Sequence, residues 1–453
     1  MNKLPSSFRD PAGFMFSVEG VVHRQINQVA KADYDLLMTS GLYDYLVKKE
    51  LLIAHSEVQN VNEAAYKTIR PNQISFISYP YEWSFEQLKD AALLTLRIQK
   101  VALKHGMSLK DASAYSIQFV NGKPTFIDTL SFENYEEGKP WDAYRQFCQH
   151  FLAPLALASY KDIRLTKLLS DFIDGIPLDL AAQLLPKRTL LKFSLASHIH
   201  WHAKAQGKHA DKATDQRKRA QISKTGLLGI IDNLKSAINK LKWNAGDTEW
   251  GDYYNNTNYS DSSFEEKKTI IGSFLKETQA NSLWDLGAND GTFSSIGSEM
   301  GIDTIAFDID PIAVNKNYIR IRKEKTTKML PLLMDLTNPS ADLGWGHKER
   351  DGLQTRGKAD CIMALALIHH LAISNNLPLN LVAEYFSKLG NHLIIEFVPK
   401  TDSKVKTLLA TRKDIFPDYT TEGFEKAFEI RYAQIRKQQI AGSDRILYLY
   451  RTK

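Results

Sequence analysis

Between Ser282 and Val314 the sequence reads SLWDLGANDGTFSSIGSEMGIDTIAFDIDPIAV, and no other stretch restricts the fold as strongly. An apolar run containing Leu283 and Trp284 ends at Asp285 and is followed by a short turn with Gly287 and Gly291. A helix-compatible segment then leads to a second apolar run ending at Asp308. This is the order of a strand, a tight turn, a helix and a second parallel strand with an acid at its tip. Glycine is needed where φ is positive or where a Cβ would strike a ligand. The turn therefore predicts close approach of backbone to a bound nucleoside, and the acid suits two ribose hydroxyls.

The composition of the turn separates two nucleoside ligands. A dinucleotide site uses G-x-G-x-x-G and aims a helix N-terminus at a pyrophosphate. Here the turn is Asp285-Leu286-Gly287-Ala288-Asn289-Asp290-Gly291, with acids near both ends and no G-x-G. A carboxylate repels a pyrophosphate and attracts a sulfonium or an ammonium group. That favours S-adenosyl-L-methionine over NAD. The pattern D-x-G-x-x-x-G followed by F-D-I-D-P resembles motifs I and II of class I methyltransferases. Asn289 stands where many members carry a second glycine, and Asn also enters the left-handed region. The resemblance implies an α/β domain with a seven-stranded Rossmann-like sheet, its cofactor held by Asp285, Gly287, Asn289, Gly291 and Asp308. A Rossmann-like domain that has lost its ligand is the plainer alternative.

The rest of this half follows the same scheme. Lys328–Met334 reads as a third strand ending at Asp335, and by the same resemblance Asp335 or its neighbour Leu336 meets the adenine amino group. Ala359–Leu365 is a fourth strand and His392–Val398 a fifth, while 428–439 and 445–450 make a closing antiparallel hairpin. Ligands bind outside the carboxyl ends of such strands, so Asp285, Asp308, Asp335 and His369 are expected on one rim. Upstream, Trp250, Tyr253, Tyr254 and Tyr259 with an amphipathic helix at Phe264–Leu275 read as a lid. Aromatic faces hold cations well, although core packing accounts for each ring equally. Methyl transfer from a sulfonium is an in-line displacement governed by alignment and desolvation, with a base only where the acceptor loses a proton. Family members that methylate amide or exocyclic amino nitrogens often carry an Asn/Asp-Pro-Pro-aromatic turn after the fourth strand. This chain has Ala366-Leu367-Ile368-His369-His370 there. That favours an oxygen acceptor with His369 or His370 as base, since imidazole titrates near neutrality; a histidine pair capping a helix is the structural alternative.

The N-terminal half has a different grammar. GFMFSVEGVVHRQI reads as a hairpin turning at Glu19-Gly20. A helix from Ala32 to Glu50, strands in LLIAHSEV and ISFISYPYEWSF, the second ending in an aromatic- and proline-rich turn, and an amphipathic helix from Phe85 to His105 follow. The next piece, GMSLKDASAYSIQFVNGKPTFIDTLSFE, resembles the catalytic hairpin of the protein-kinase-like fold. Asp111 matches the loop Asp, Ser116 falls where that pattern has Asn, and Asp128 matches the metal-binding acid. The resemblance implies a small β-lobe with a hinge near Tyr79–Trp83. Ser116 is a poorer Mg²⁺ ligand than Asn, Thr129 replaces a Gly, the first hairpin has no Gly-rich loop, and Lys67 is the candidate partner lysine. Phosphoryl transfer needs the metal and all its ligands assembled, so a kinase-like recognition domain without that activity is expected. An unrelated α+β domain in which Asp111 and Asp128 cap turns is the alternative. Further on, Trp141–Tyr160 has helical spacing interrupted at Pro154. His198, His200 and His202 would share a face only on a strand, and helical neighbours make them a polar helix face rather than a metal site.

At 453 residues two domains are expected. The reading is a kinase-like α+β domain over 1–203, a basic polar linker or helix over 204–242, and the methyltransferase domain over 243–453. The linker carries Lys204, Lys208, Lys212, Arg217, Lys218, Arg219 and Lys224 against Asp211 and Asp215. The net charge of +6 permits an anionic partner without requiring one. With only Cys148 and Cys361, far apart, a disulfide framework, a cysteine-rich metal site and a radical iron–sulfur cluster are excluded. The start MNKLPSSFRDPAGF lacks the apolar core of a signal peptide and no run reaches the length of a membrane span, so a cytoplasmic location is expected. A kinase-like lobe before a methyltransferase resembles bacterial relatives of the rhizobial nodulation host-specificity methyltransferases. It implies methylation of an oxygen on a saccharide or other small or cell-surface precursor. Two alternatives stay open: an RNA methyltransferase using the basic linker, and a scaffold in which both domains are inactive.

Overall fold

The computed structural model describes residues 2–202, 221–244, 261–410 and 413–453. The chain forms two compact units, Met1–Asn244 with Leu343–Arg350, and Ala245–Asp342 with Asp351–Lys453. The division falls at 244–245 rather than at the expected 242–243, and the helix Lys224–Lys240 belongs to the first unit. Residues 204–220 of the basic linker, and Trp250, Tyr253, Tyr254 and Tyr259, lie outside the described residues.

The first unit opens with β1 (Asn2–Lys3), β2 (Gly13–Val18), β3 (Val21–Ile26), β4 (His55–Val58) and β5 (Lys67–Pro71). They pair antiparallel in the order β1-β2-β3-β5-β4. Glu19 and Gly20 turn the β2–β3 hairpin with φ of 51° and 81°, which suits the twist of paired strands. The helix expected over 32–50 is two helices, Lys31–Thr39 and Leu42–Lys48, because Gly41 sits between them at φ +77°. The strand expected to begin at Ile74 is absent as well; the strand of this region is β5, while the turn expected at its end is present as a 3₁₀ turn over Pro80–Glu82. A side chain replaces the neighbouring strand. Gln118 accepts from the Ser78 N–H and donates to the Ser78 carbonyl, both at 2.9 Å, so this buried backbone is satisfied without a ladder.

The helix Phe85–Lys104 starts on a Ser84–Gln87 capping box. Beyond it β6 (Met107–Leu109) pairs with β9 (Phe132–Asn134), and β7 (Ile117–Val120) with β8 (Lys123–Phe126). Pro154 does not break the following helix: a π-turn over Cys148–Leu152 widens it just before Ala153–Tyr160. His198 is hydrogen-bonded to Tyr144 at 2.6 Å and to Asn233 at 2.9 Å, and His200 to Thr189 at 2.8 Å. Their rings are committed to different neighbours.

The second unit is built on β10 (Ser282–Leu286), β11 (Asp303–Asp308), β12 (Met329–Leu333), β13 (Ala359–Ala364), β14 (Gly390–Phe397), β15 (Tyr432–Gln439) and β16 (Ile446–Thr452). The sheet has the order β12-β11-β10-β13-β14-β16-β15, with β10 to β14 parallel and β16 antiparallel to both its neighbours. This is the seven-stranded α/β sheet expected from the sequence. Leu283, Met363, Ile394 and Leu449 pack against Ile271, Phe274 and Leu275 of the helix Asp261–Thr278. Each such fully buried side chain contributes about 1.5–3 kcal/mol. The strand order reverses between β10 and β13, which opens a crevice at their carboxyl ends. No described helix is long and apolar enough to cross a membrane.

Candidate functional site

The crevice holds a cavity of about 410 Å³. Of the residues expected to form a site, Asp285, Gly287, Asn289, Asp308, Asp335, Leu336 and His370 line it, whereas Gly291 and His369 do not.

The turn after β10 is held to β11 by two backbone bonds, as Gly287 and Ala288 N–H both donate to the Phe307 carbonyl at 2.9 and 2.8 Å. Gly287 and Asn289 adopt φ of 81° and 50°, and the Asn289 N–H donates to Asp308 Oδ2 at 2.7 Å. Gly291 is required by packing. A Cβ at this position, with φ +79°, would lie 2.2 Å from Nδ2 of Asn317, a buried residue of the helix Pro311–Glu324.

Three strands end in the acids of the cavity. Asp285 is 1% exposed; its Oδ2 accepts from Ser294 Oγ at 2.6 Å, and its buried Oδ1 has no hydrogen-bond partner among the described residues. Burial pushes this carboxyl up to about 7, the Ser294 bond opposing the shift and Asp308 adding to it. Asp308 accepts from Asn289 and, at 2.8 Å, from the Asp310 N–H, and burial carries it up to about 6 against these bonds. Asp310 is not a rim acid; it caps the helix Pro311–Glu324 by accepting from Ile312 N–H at 2.7 Å. Asp335 accepts from the Thr337 N–H and hydroxyl at 2.9 and 2.6 Å.

The expected rim included His369, yet His370 takes that place. His369 is 1% exposed, with the two ring centroids 4.1 Å apart and its Nδ1 without a partner among the described residues. Burial holds His369 far below the ordinary imidazole range, and burial followed by the Arg445 charge brings His370 down to about 4. Both rings are therefore neutral at physiological pH.

Sequence reasoning did not anticipate Lys267 or the backbone of Ala366, both of which line the cavity. Lys267, in the run Glu265-Glu266-Lys267-Lys268, looks like a solvated helix lysine but has a 2% exposed side chain. Its Nζ donates to Glu396 at 2.6 Å and lies 4.4 Å from the Phe293 ring centroid. Burial lowers its pKa against the attraction of Glu396, which also receives Arg445 at 3.3 Å. Only the distant Glu396 at the end of β14 hinted at such a partner. Ala366 stands at φ +48° just after β13, a conformation that costs a non-glycine residue about 1–2 kcal/mol; nothing in its sequence context signals this.

In the first unit the acids singled out by sequence are brought near one another, and one of them already holds a cation. Asp128 Oδ1 accepts from Arg24 Nη1 at 2.6 Å, and Arg24 Nη2 donates to Asp10 at 3.1 Å. Asp111 accepts from the Ser113 N–H at 2.7 Å, and its carboxyl is raised first by burial and then by the Asp128 charge. Ser116 is buried. Lys67 pairs with Glu57 at 2.6 Å, so the cation that meets Asp128 is Arg24 of β3.

No protein-family model matches the chain. Over 459 residues it is 34% identical to the nodulation protein NoeA of Rhizobium meliloti (strain 1021), across 99% of this chain and 96% of that protein. Among solved structures, magnesium protoporphyrin IX methyltransferase (ChlM) of Synechocystis PCC 6803 with bound SAH aligns over 42% of this chain and 84% of its own, at 14% identity and a TM-score of 0.31. The N-methyltransferase NodS of Bradyrhizobium japonicum WM9 aligns over 43% and 98%, at 12% identity and a TM-score of 0.32.

Proposed function

Because the chain belongs to the family of the nodulation protein NoeA, we propose that it is an S-adenosylmethionine-dependent methyltransferase acting on an oxygen of a saccharide or other small cell-surface precursor. One observation carries the cofactor assignment. Asp285 Oδ1 is buried, without a partner among the described residues, and set in a cavity whose other acids end neighbouring parallel strands. An unpaired buried carboxylate oxygen is costly, and an ammonium group on a ligand relieves it. Asp308 keeps lone pairs beyond its two backbone bonds for ribose hydroxyls. Asp335 and Leu336 suit an adenine edge, and Phe293, Leu365 and Leu367 give the cavity apolar surface. The bound cofactor supplies a methyl group on a cationic sulfur. The protein aligns the acceptor oxygen and excludes water, and His370, neutral and facing the cavity, takes the proton that the acceptor hydroxyl loses. S-adenosylhomocysteine should bind in calorimetry, and Asp308→Ala should weaken it by about 1–3 kcal/mol. No measurable binding to the unaltered protein at millimolar ligand would overturn the assignment.

For the first unit the reading is a kinase-like fold that recognises rather than phosphorylates. The β-sheet, the 3₁₀ turn at Pro80–Glu82 and the paired short strands support the shape, while Arg24 on Asp128 opposes metal binding. A divalent cation would have to displace a guanidinium that is 12% exposed. Mg²⁺ with ATP should therefore give no thermal stabilisation. A Mg²⁺-dependent shift that disappears in Asp128→Ala would reject this reading.

A further inference from the structure

Six basic side chains surround a groove of about 590 Å³ in the first unit: Lys49, Arg97, Lys100, Lys104, Lys123 and Lys235. They arrive from four separate places in the sequence. Lys49 follows the helix Leu42–Lys48, Lys123 opens β8, Lys235 belongs to the helix Lys224–Lys240, and the other three lie on one face of Phe85–Lys104. Among the described lining residues only Glu50 and Asp90 oppose them. Lys123 pairs with Glu50 at 2.6 Å and Lys100 with Asp232 at 2.8 Å. Among the described residues Lys49, Arg97, Lys104 and Lys235 have no carboxylate partner. A surface normally intersperses both signs, so a fold that gathers these cations carries unbalanced positive potential there.

The floor of the groove has a different chemistry. Leu51 and Ile231 are buried, and Leu93, Val101 and Pro124 are half-buried, so the cations ring an aliphatic surface. Among the described residues no aromatic ring lines it. Sequence-tolerant nucleic-acid grooves add aromatic platforms for base stacking to their charges, and the described lining has none. We propose that the groove binds an amphiphile with an anionic phosphate head and an aliphatic chain, namely a phosphate-headed lipid. Arg97 supplies a planar fork for phosphate oxygens, the lysines supply point charges, and Val101 with its neighbours receives the first methylenes of the chain. The proposal rests on the reading above only in extending the acceptor class to a lipid-borne precursor; its test does not involve the cofactor.

The full chain is tested by sedimentation with vesicles of phosphatidylcholine alone and of equal parts phosphatidylcholine and phosphatidylglycerol. The expected result is binding at least about tenfold stronger to the anionic vesicles, lost in Arg97→Glu/Lys104→Glu and weakened in Val101→Asp. A control pair of reversals in the second unit, Lys404→Glu/Lys426→Glu, should leave it in place. An unchanged far-ultraviolet circular dichroism spectrum and an unchanged unfolding temperature show that the variants fold. Equal binding to both vesicles, or equal loss in the control pair, overturns the proposal. So does a phosphate-only site, seen as inorganic pyrophosphate displacing the vesicles with Val101→Asp binding normally. Preferential, steeply salt-dependent binding of RNA that blocks the vesicles would replace the lipid with a nucleic acid.

Discussion

Asp285 joins the chemistry of one residue to the pH response of the protein. Its carboxyl is held near 7, above its ordinary value, chiefly by burial. The folded state thus keeps a proton that the unfolded chain releases between about pH 4 and 7, so stability falls as pH rises through that window. Binding an ammonium-bearing ligand reverses the preference, because the ligand needs the carboxylate. Below pH 7 binding must expel the proton, so affinity for S-adenosylhomocysteine should drop as pH falls, at most about tenfold per unit. Asp308, near 6, adds its own titration only lower down. Asp285→Asn should bind more weakly at pH 8, show a flatter pH dependence, and lose less unfolding temperature between pH 5 and 8. Calorimetry over this range gives the answer, and a pH-independent affinity in the unaltered protein would remove Asp285 from contact with the cation.

The turn between β10 and the following helix raises a question of element packing, since Gly287 and Gly291 look equivalent in sequence but are not. Gly291→Ala places a methyl against Asn317 and holds φ near +79°. The left-handed backbone alone costs about 1–2 kcal/mol, so the unfolding temperature should fall while the ligand affinity of the folded protein changes little. Loss of S-adenosylhomocysteine affinity at unchanged stability would make Gly291 a ligand contact after all. The same contrast explains what was legible in the sequence. Strands β10 to β14 were readable because parallel strands buried on both faces are near-continuous apolar runs, and their acidic ends marked the rim. The segment 74–85 was equally apolar yet is no strand, since the group that satisfies it is Gln118, 40 residues away. Lys267 was hidden for a similar reason: its partner Glu396 lies 129 residues on. Gly41 could have been read as a helix stop and was not. Local pattern reveals burial, but not which distant side chain makes that burial affordable.

At the scale of the whole chain, the first unit is completed by residues from far along the sequence. Arg9 Nε and Nη2 donate to the two carboxylate oxygens of Glu349 at 2.8 Å each, across 340 positions. Glu349 also accepts from the Trp345 N–H at 2.7 Å, and the Arg350 guanidinium lies 4.1 Å from the Tyr115 ring centroid. The two partners differ in setting: the Arg9 side chain is 54% exposed and that of Glu349 only 1%. Removing Glu349 leaves a guanidinium that water can solvate, whereas removing Arg9 strands a buried carboxylate. Arg9→Ala should therefore destabilise the unit more than Glu349→Ala, and a double-mutant cycle should give a coupling of about 1–2 kcal/mol. The Arg9 bond holds the Glu349 carboxyl below its usual range, so this contribution is present above the unfolded pKa of about 4.3 and is lost as pH falls through the depressed value. The measurement is thermal unfolding with and without S-adenosylhomocysteine, because a ligand of the second unit shifts that unit's transition and leaves the first unit's transition identifiable. Equal costs for the two single substitutions, or a coupling within error of zero, would show that Leu343–Arg350 is held to the first unit by packing alone.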